Sequence, residues 1–306
     1  MAMNRSQFYQ QLQDGLNTVF GLEYRRYPQE WAGCFDTQTS NKAWETDVLT
    51  VGLGPAQVKQ EGAPSAYDEG GESWAYTYHH ETISLHFSLT EEAEEDNLYG
   101  SQGRRYSAAL ARSMAHTKEV KGAEVYNTAF TTFLTGDGVA ACALDHPLWG
   151  GGTFQNELTT AADLDESALE DALIRISLFV DDRGLPIMVN GRSLLVHPSN
   201  VFNAHRILKS PGSTEATGDR DETNNTNAIR DMGLLPGGVV VNHYLTDEAP
   251  WFIRTDISNG PIVMQRKKLA RGLDGDFLTG NVRYKARERY SFGITDPRGL
   301  FGSPGA

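Results

Sequence analysis

Between Glu45 and Leu89 the residues alternate as strands do, yet too few of them are apolar to build a central sheet. The alternation breaks at Gly62-Ala63-Pro64 and again at Glu69-Gly70-Gly71, where a chain turns. Trp74, Tyr76 and Tyr78 stand at period two and so share one face. An extended β-hairpin projecting from the body fits this pattern, and an isolated hairpin is only marginally stable in water. A chain that carries one must dock it on a partner. The stretch from Tyr24 to Trp44, with Tyr27, Trp31 and Phe35, is a second segment costly to leave exposed. It docks either on its own body or on a neighbouring chain.

Helical patterns flank these segments. Phe8, Leu12, Leu16, Val19 and Phe20 predict an amphipathic helix over residues 4–20. Thr90, followed by Glu91, Glu92, Glu94, Glu95 and Asp96, reads as a capped helix start whose acids suit the positive N-terminus. After a break between Gly100 and Gly103, Tyr106, Leu110, Met114, Val120 and Val125 mark the buried stripe of a long helix running to about Phe130. A further helix begins at Asp163-Leu164-Asp165-Glu166, buries Leu169, Leu173, Ile176 and Phe179, and ends at Asp181-Asp182-Arg183-Gly184. The last third predicts strands at 238–241, 251–254, 261–268 and 278–292, and one short helix over 199–209. Residues 211–227 are small and polar and predict a mobile surface loop. On the last strand Arg283, Lys285, Arg287 and Arg289 line one face, with Tyr284 and Tyr290 on the other. Four aligned cations repel one another unless acids or phosphates meet them, and Glu91, Glu92, Glu94 and Glu95 are the acids expected to do so.

Charge divides along the chain. Residues 261–306 hold nine basic and four acidic residues, a net +5, which leaves −18 on the remainder of a chain whose total is −13. An acidic total argues against wrapping nucleic acid as the main task, and opposite charge on separate segments suits subunits that pair with copies of themselves. No apolar run approaches the ~20 residues of a membrane helix, and the N-terminus lacks a signal-type apolar core, so a cytoplasmic site of synthesis is expected. Cys34 and Cys142 match no metal spacing and read as small core residues. His79-His80-Glu81 lacks the spacing that aims two imidazoles at one zinc. His146 and His197 each precede proline and read as turn or strand-end residues. Asp219, Asp221 and Asn224 lack the glycine and the bidentate glutamate of a calcium loop. Gly52-Leu53-Gly54-Pro55 is no dinucleotide fingerprint, and no serine sits in a nucleophile elbow. No catalytic residue, metal ligand or cofactor is expected.

The order of several short motifs is more telling than any one of them. Asp137-Gly138, His146-Pro147, Gly151 and Asn156 are followed by Leu194-Leu195-Val196-His197-Pro198. Tyr244-Leu245-Thr246-Asp247 then precedes Trp251-Phe252, and Gly299 to Gly302 closes the chain. Over about Leu49 to Ala306 this order resembles the major head subunits of tailed phages, in particular the Mu-like prophage head-subunit family with the Hong Kong 97-type fold. The resemblance implies an α+β subunit with an N-terminal arm (1–44), an extended hairpin loop (45–89) lying over the adjacent subunit, and a peripheral domain with a spine helix (90–185). An axial domain (186–260) and C-terminal strands returning to the peripheral domain (261–306) complete it. It implies a capsid protein of the virion, assembled in the host cytoplasm into hexamers and pentamers that confine packaged DNA. Its partners are then a portal protein, a scaffolding protein or maturation protease made separately, and a cement protein. Inter-subunit contacts are expected at Trp74, Tyr76, Tyr78, Lys59, Glu61, Arg283, Lys285, Arg287 and Arg289. Some shells of this type are cross-linked through a lysine with a carboxylate as base. Lys59, beside Glu61, is the one lysine of the hairpin region, and an ordinary surface lysine is the simpler reading. Two other readings stay open: an encapsulin-like nanocompartment shell of the same fold, and a cytosolic metal-dependent enzyme using the histidines.

Overall fold

Two four-stranded sheets organise the chain. The computed structural model describes residues 5–90, 99–212, 226–275 and 281–306. The helices are α1 (Arg5–Arg26), α2 (Trp31–Cys34), α3 (Tyr99–Asn127), α4 (Glu166–Ser177), α5 (Val201–Lys209) and α6 (Ala228–Asp231). The first sheet has the order β1-β10-β11-β4, built from β1 (Asp36–Thr39), β10 (Pro261–Gly275), β11 (Val282–Ile294) and β4 (Glu81–Leu89). The second has the order β12-β9-β7-β8, built from β12 (Leu300–Ser303), β9 (Trp251–Thr255), β7 (Gly191–Val196) and β8 (Val239–Val241). β2 (Trp44–Val51) and β3 (Gly71–His79) form a separate hairpin, and β5 (His146–Pro147) pairs with β6 (Thr153–Phe154).

The hairpin is thus shorter than the alternation predicts. Strand β4, expected inside it, pairs instead along β11 from Glu81↔Tyr290 to Leu89↔Val282. Its apolar positions Ile83 and Phe87 give it a buried side, and that side packs on the helices. β12 likewise leaves the returning C-terminal strands and joins the second sheet on β9.

Helix α3 has 29 residues, about 44 Å at 1.5 Å per residue. It lies on the inner face of the first sheet with α1, through Leu16, Phe20, Leu110, Ala111, Met114, Tyr284 and Ala286. The stripe differs from the expected one: Tyr106 and Val120 are exposed. Steps of three and four residues carry the buried line from Met114 through Lys118 and Gly122 to Val125, so a lysine occupies the seam. It is tolerated because Glu288 of β11 meets it. Lys118 Nζ lies 3.3 Å from Glu288 Oε2 and also sits over the rings of Trp31 and Tyr290. Trp31 and Phe35 pack edge-on against Phe292, so the aromatic stretch docks on its own chain.

Helix α4 starts where the capping pattern places it, with the Asp165 carboxylate accepting from Ala168 N–H. Leu169, Ile176 and Phe179 face the second core beside Leu194, Val196, Ile207, Trp251 and Ile253. Cys34 and Cys142 are buried and free. The acids at 91–96 and nearly all of the polar segment 211–227 lie outside the described residues. Gly212 and Thr226 pair at that segment's base.

Candidate assembly surface

The hairpin is clamped at its base and bare at its tip. Tyr78 is buried; its hydroxyl is 2.8 Å from Thr295 Oγ1, which donates to Asp47 Oδ2 at 2.9 Å. Tyr76 stacks edge-on against Tyr78, with ring centroids 4.8 Å apart, and lies near Phe133. Both rings lie directly over Gly293, where a Cβ would come within 2.5 Å of them. Period two does align Trp74, Tyr76 and Tyr78, but the structure corrects the expectation that the face is wholly intersubunit. Tyr76 and Tyr78 cover the body of their own chain because β2–β3 folds back over the end of β11. Trp74 alone of the three stays exposed, at 36%, with its Nε1 donating to Pro147 O at 3.4 Å.

Beyond Val51 the loop 52–70 opens into solvent. Val58 is 98% exposed, and Leu53 and Tyr67 are exposed beside it. One internal tie shapes the loop: Asp68 accepts from Gly54 N–H at 2.6 Å and faces Arg183 Nη1 at 3.4 Å. The Gly54 bond and the arginine hold the Asp68 carboxyl below the usual carboxylate range. Lys59, Glu61, Glu69 and Glu72 are exposed, and none has an ion pair among the described residues.

On β11 the alternation is as the sequence predicts. Val282, Tyr284, Ala286, Glu288 and Tyr290 point inward and are buried; Arg283, Lys285, Arg287 and Arg289 point outward. Across the sheet their partners are Ser88, His86, Ser84 and Thr82 on β4, and Asp274, Gly272, Ala270 and Lys267 on β10. Lys267, Lys285, Arg287 and Arg289 have no ion pair among the described residues. The Nε atoms of Arg266, Arg287 and Arg289 are buried without a hydrogen-bond acceptor among the described residues. The last odd positions of the same face, Ser291, Gly293 and Thr295, are covered by His80, Tyr78 and Tyr76. The chain's own hairpin therefore covers one end of this face and leaves the cationic end bare.

Under the surface lies a clasp that residue-by-residue reading misses. His146, expected to be an ordinary strand-end residue, is fully buried between Asp137 and Asn156. Its Nδ1 is 2.6 Å from Asp137 Oδ2 and its Nε2 is 3.1 Å from Asn156 Oδ1. Asn156 Nδ2 donates to the carbonyls of Ala141, Pro297 and Leu300, which fixes the amide orientation. Burial pushes the Asp137 carboxyl up, but bonds from His146 and Thr135 win and hold it low. Arg298 completes the clasp: it donates to Asp182 at 2.7 Å and to Val180 O, pairs with Asp296 and lies over Phe154. Positive φ at Gly138 and Gly151 permits the turns on either side. The signal was present in the sequence as the ordered motifs 137–138, 146–147, 156 and 299–302, which the fold gathers at one point.

Among the described residues no group of three or more His, Cys, Asp or Glu is placed to hold a metal ion. None of their helices is long and apolar enough to cross a membrane. The model of the family described as "Phage capsid protein" matches residues 76–302. No curated protein matches the chain. Among solved structures, the chain is similar to the capsid of the cyanophage P-SCSP1u, with TM-score 0.57 and 11% identity, covering 89% of this chain and 86% of that one. The capsid of a native GTA particle gives TM-score 0.55 at 14% identity over 91% and 90% of the two chains. The SrpI encapsulin of Synechococcus elongatus PCC 7942 gives 0.53 at 11% identity over 90% and 87%. At such identities the likeness establishes the fold, which is of the Hong Kong 97 type.

Proposed function

The chain belongs to the phage capsid protein family, and on that premise we propose that it is the major capsid protein, the repeated structural subunit of an icosahedral phage head. The observation that carries this reading is the family match across most of the chain. The bare hairpin loop and the cationic face, where Lys285, Arg287 and Arg289 have no ion pair among the described residues, supply the physical reason: both are surfaces that a lone subunit leaves incomplete. In this reading the β2–β3 loop is the extended loop, α3 is the spine, the first sheet belongs to the peripheral domain and the second sheet to the axial one. Copies assemble as hexamers and pentamers in the host cytoplasm and close around double-stranded DNA. A portal, a separate scaffold or maturation protease, and a cement protein are its expected partners. The acidic total charge suits a wall that confines DNA without gripping it.

Co-expression with the assembly factors encoded beside the gene tests this, read by electron microscopy and by the contents of purified particles. Closed shells filled with DNA support the proposal. Shells of the same fold loaded with an enzyme instead make the chain a nanocompartment protein, and a monomer that never assembles overturns the shell reading altogether.

A further inference from the structure

We infer that Asn259 is a site of spontaneous self-modification, at which the chain turns a side-chain amide into a carboxylate and reroutes its own backbone through an isoaspartyl link. The reacting pair is Asn259 and Gly260, and the co-reactant is solvent water.

Asparagine precedes glycine twice in this chain, at Asn190-Gly191 and at Asn259-Gly260. With no Cβ on the second residue, little hinders its backbone nitrogen from reaching the side-chain carbonyl carbon before it. At Asn259 the Gly260 nitrogen gives up its proton and bonds to Cγ. The Cγ–Nδ2 bond breaks, and the amide leaves as ammonia with that proton. Water then opens the cyclic imide on one side or the other. Attack at Cγ gives aspartate; attack at the main-chain carbonyl gives isoaspartate, whose backbone is longer by one methylene.

The fold protects one pair and leaves the other open. Asn190 is locked by a single carboxylate: its Nδ2 donates to Asp256 Oδ2 at 3.2 Å and its N–H to Oδ1 at 2.9 Å. Gly191 is paired with Thr255 inside the second sheet. Asn259 instead lies half-buried in the turn between β9 and β10, at φ 68°, a left-handed conformation that asparagine tolerates better than most residues. Neither its side chain nor the Gly260 N–H has a hydrogen-bond partner among the described residues. The consequence reaches the clasp. The Asn259 carbonyl accepts from Asp296 N–H at 2.8 Å, and a Cβ on Gly260 would come within 2.8 Å of Gly299 Cα. A methylene added to the backbone just before Gly260 therefore displaces residues 296–299. Arg298, which donates to Asp182 and to Val180 O, moves with them.

Ageing the purified full-length subunit in mildly alkaline buffer tests this, with peptides around both asparagines read by mass spectrometry and by fragmentation that separates isoaspartate from aspartate. In the folded chain Asn259 should convert about tenfold or more faster than Asn190, because Asn190 must first give up a hydrogen bond to a carboxylate. In denaturant the two rates should converge. Aged wild type should also become protease-sensitive in its C-terminal segment. Asn259→Gly, which keeps the positive φ and removes the amide, should age without that change. The inference is overturned if Asn259 keeps its amide, if the two sites convert equally fast in the folded chain, or if aspartate is formed with no isoaspartate. Equal C-terminal sensitivity in aged Asn259→Gly would overturn the link to the clasp.

Discussion

One strand, β11, shows two kinds of surface on its two faces. Inward, Tyr284, Ala286, Glu288 and Tyr290 are buried against α1 and α3, and the single charge among them is neutralised by Lys118. Outward, every residue from the second position to the eighth is a cation, and three of the four lack any ion pair among the described residues. The inner charge is matched inside the chain; of the outer charges, Lys285, Arg287 and Arg289 have no ion pair among the described residues. The difference teaches that period two lets a single strand bury its even residues in the core while its odd residues from 283 to 289 stay outside for the assembly role proposed above.

The largest effect should come from breaking the inner pair. Glu288→Ala leaves the Lys118 ammonium buried without its acid, and losing one partner of such a pair costs about 3–5 kcal/mol. Chemical denaturation of the free subunit should register it. The outward control Lys285→Ala should stay within about 0.5 kcal/mol of wild type, as exposed substitutions do. Equal losses in the two variants would break the comparison.

Next comes the clasp. Asn156→Ala removes the amide donor to the carbonyls of Ala141, Pro297 and Leu300, of which Pro297 O keeps the Leu300 N–H, and removes the partner of His146 Nε2. Unsatisfied buried polar groups cost about 1–3 kcal/mol, and the C-terminal segment should become protease-sensitive before the rest of the chain. A C-terminus as resistant as that of wild type would show that β12 is held by packing alone.

A smaller loss, about 1–2 kcal/mol from lost apolar burial, is expected for Tyr76→Ala. From sequence alone Tyr76→Asp is an assembly lesion in a folded monomer; its stacking on Tyr78 and Phe133 moves the effect to the fold itself. Unchanged stability of the free Tyr76→Ala subunit, with assembly lost, would return this residue to the interface.

A last effect is read as a pH slope and not as a single loss. Glu119 accepts from the N–H groups of Glu30 and Trp31, yet burial, with Glu30 nearby, pushes its carboxyl up from 4.5 to about 7. A raised carboxyl binds its proton more tightly folded than unfolded, so stability should fall as pH rises from 4.5 and level off above about 7. Glu119→Gln should flatten that stretch of a thermal-midpoint profile, and an unchanged slope would place its origin elsewhere.

Much of this was legible in the sequence. The alternation on β11, the cap at Asp165 and the strands β8 to β11 follow from local pattern, because neighbouring positions alone set them. What escaped depends on distant partners. Lys118 reads as a surface residue until Glu288, 170 residues away, is placed opposite it. Tyr76 and Tyr78 read as an interface until Gly293 supplies the floor on which they lie. His146 looked like a strand end because Asp137 and Asn156, though close in sequence, are brought to it only by two turns at positive-φ glycines.

Lysine acetylation, read by mass spectrometry in free subunits and in particles, tests the division of β11 most directly. Lys118, on the helix against the inner face, should stay unlabelled in both states, whereas Lys285 on the outer face should label readily in free subunits and become protected in particles. Equal labelling of Lys285 in the two states would contradict the account.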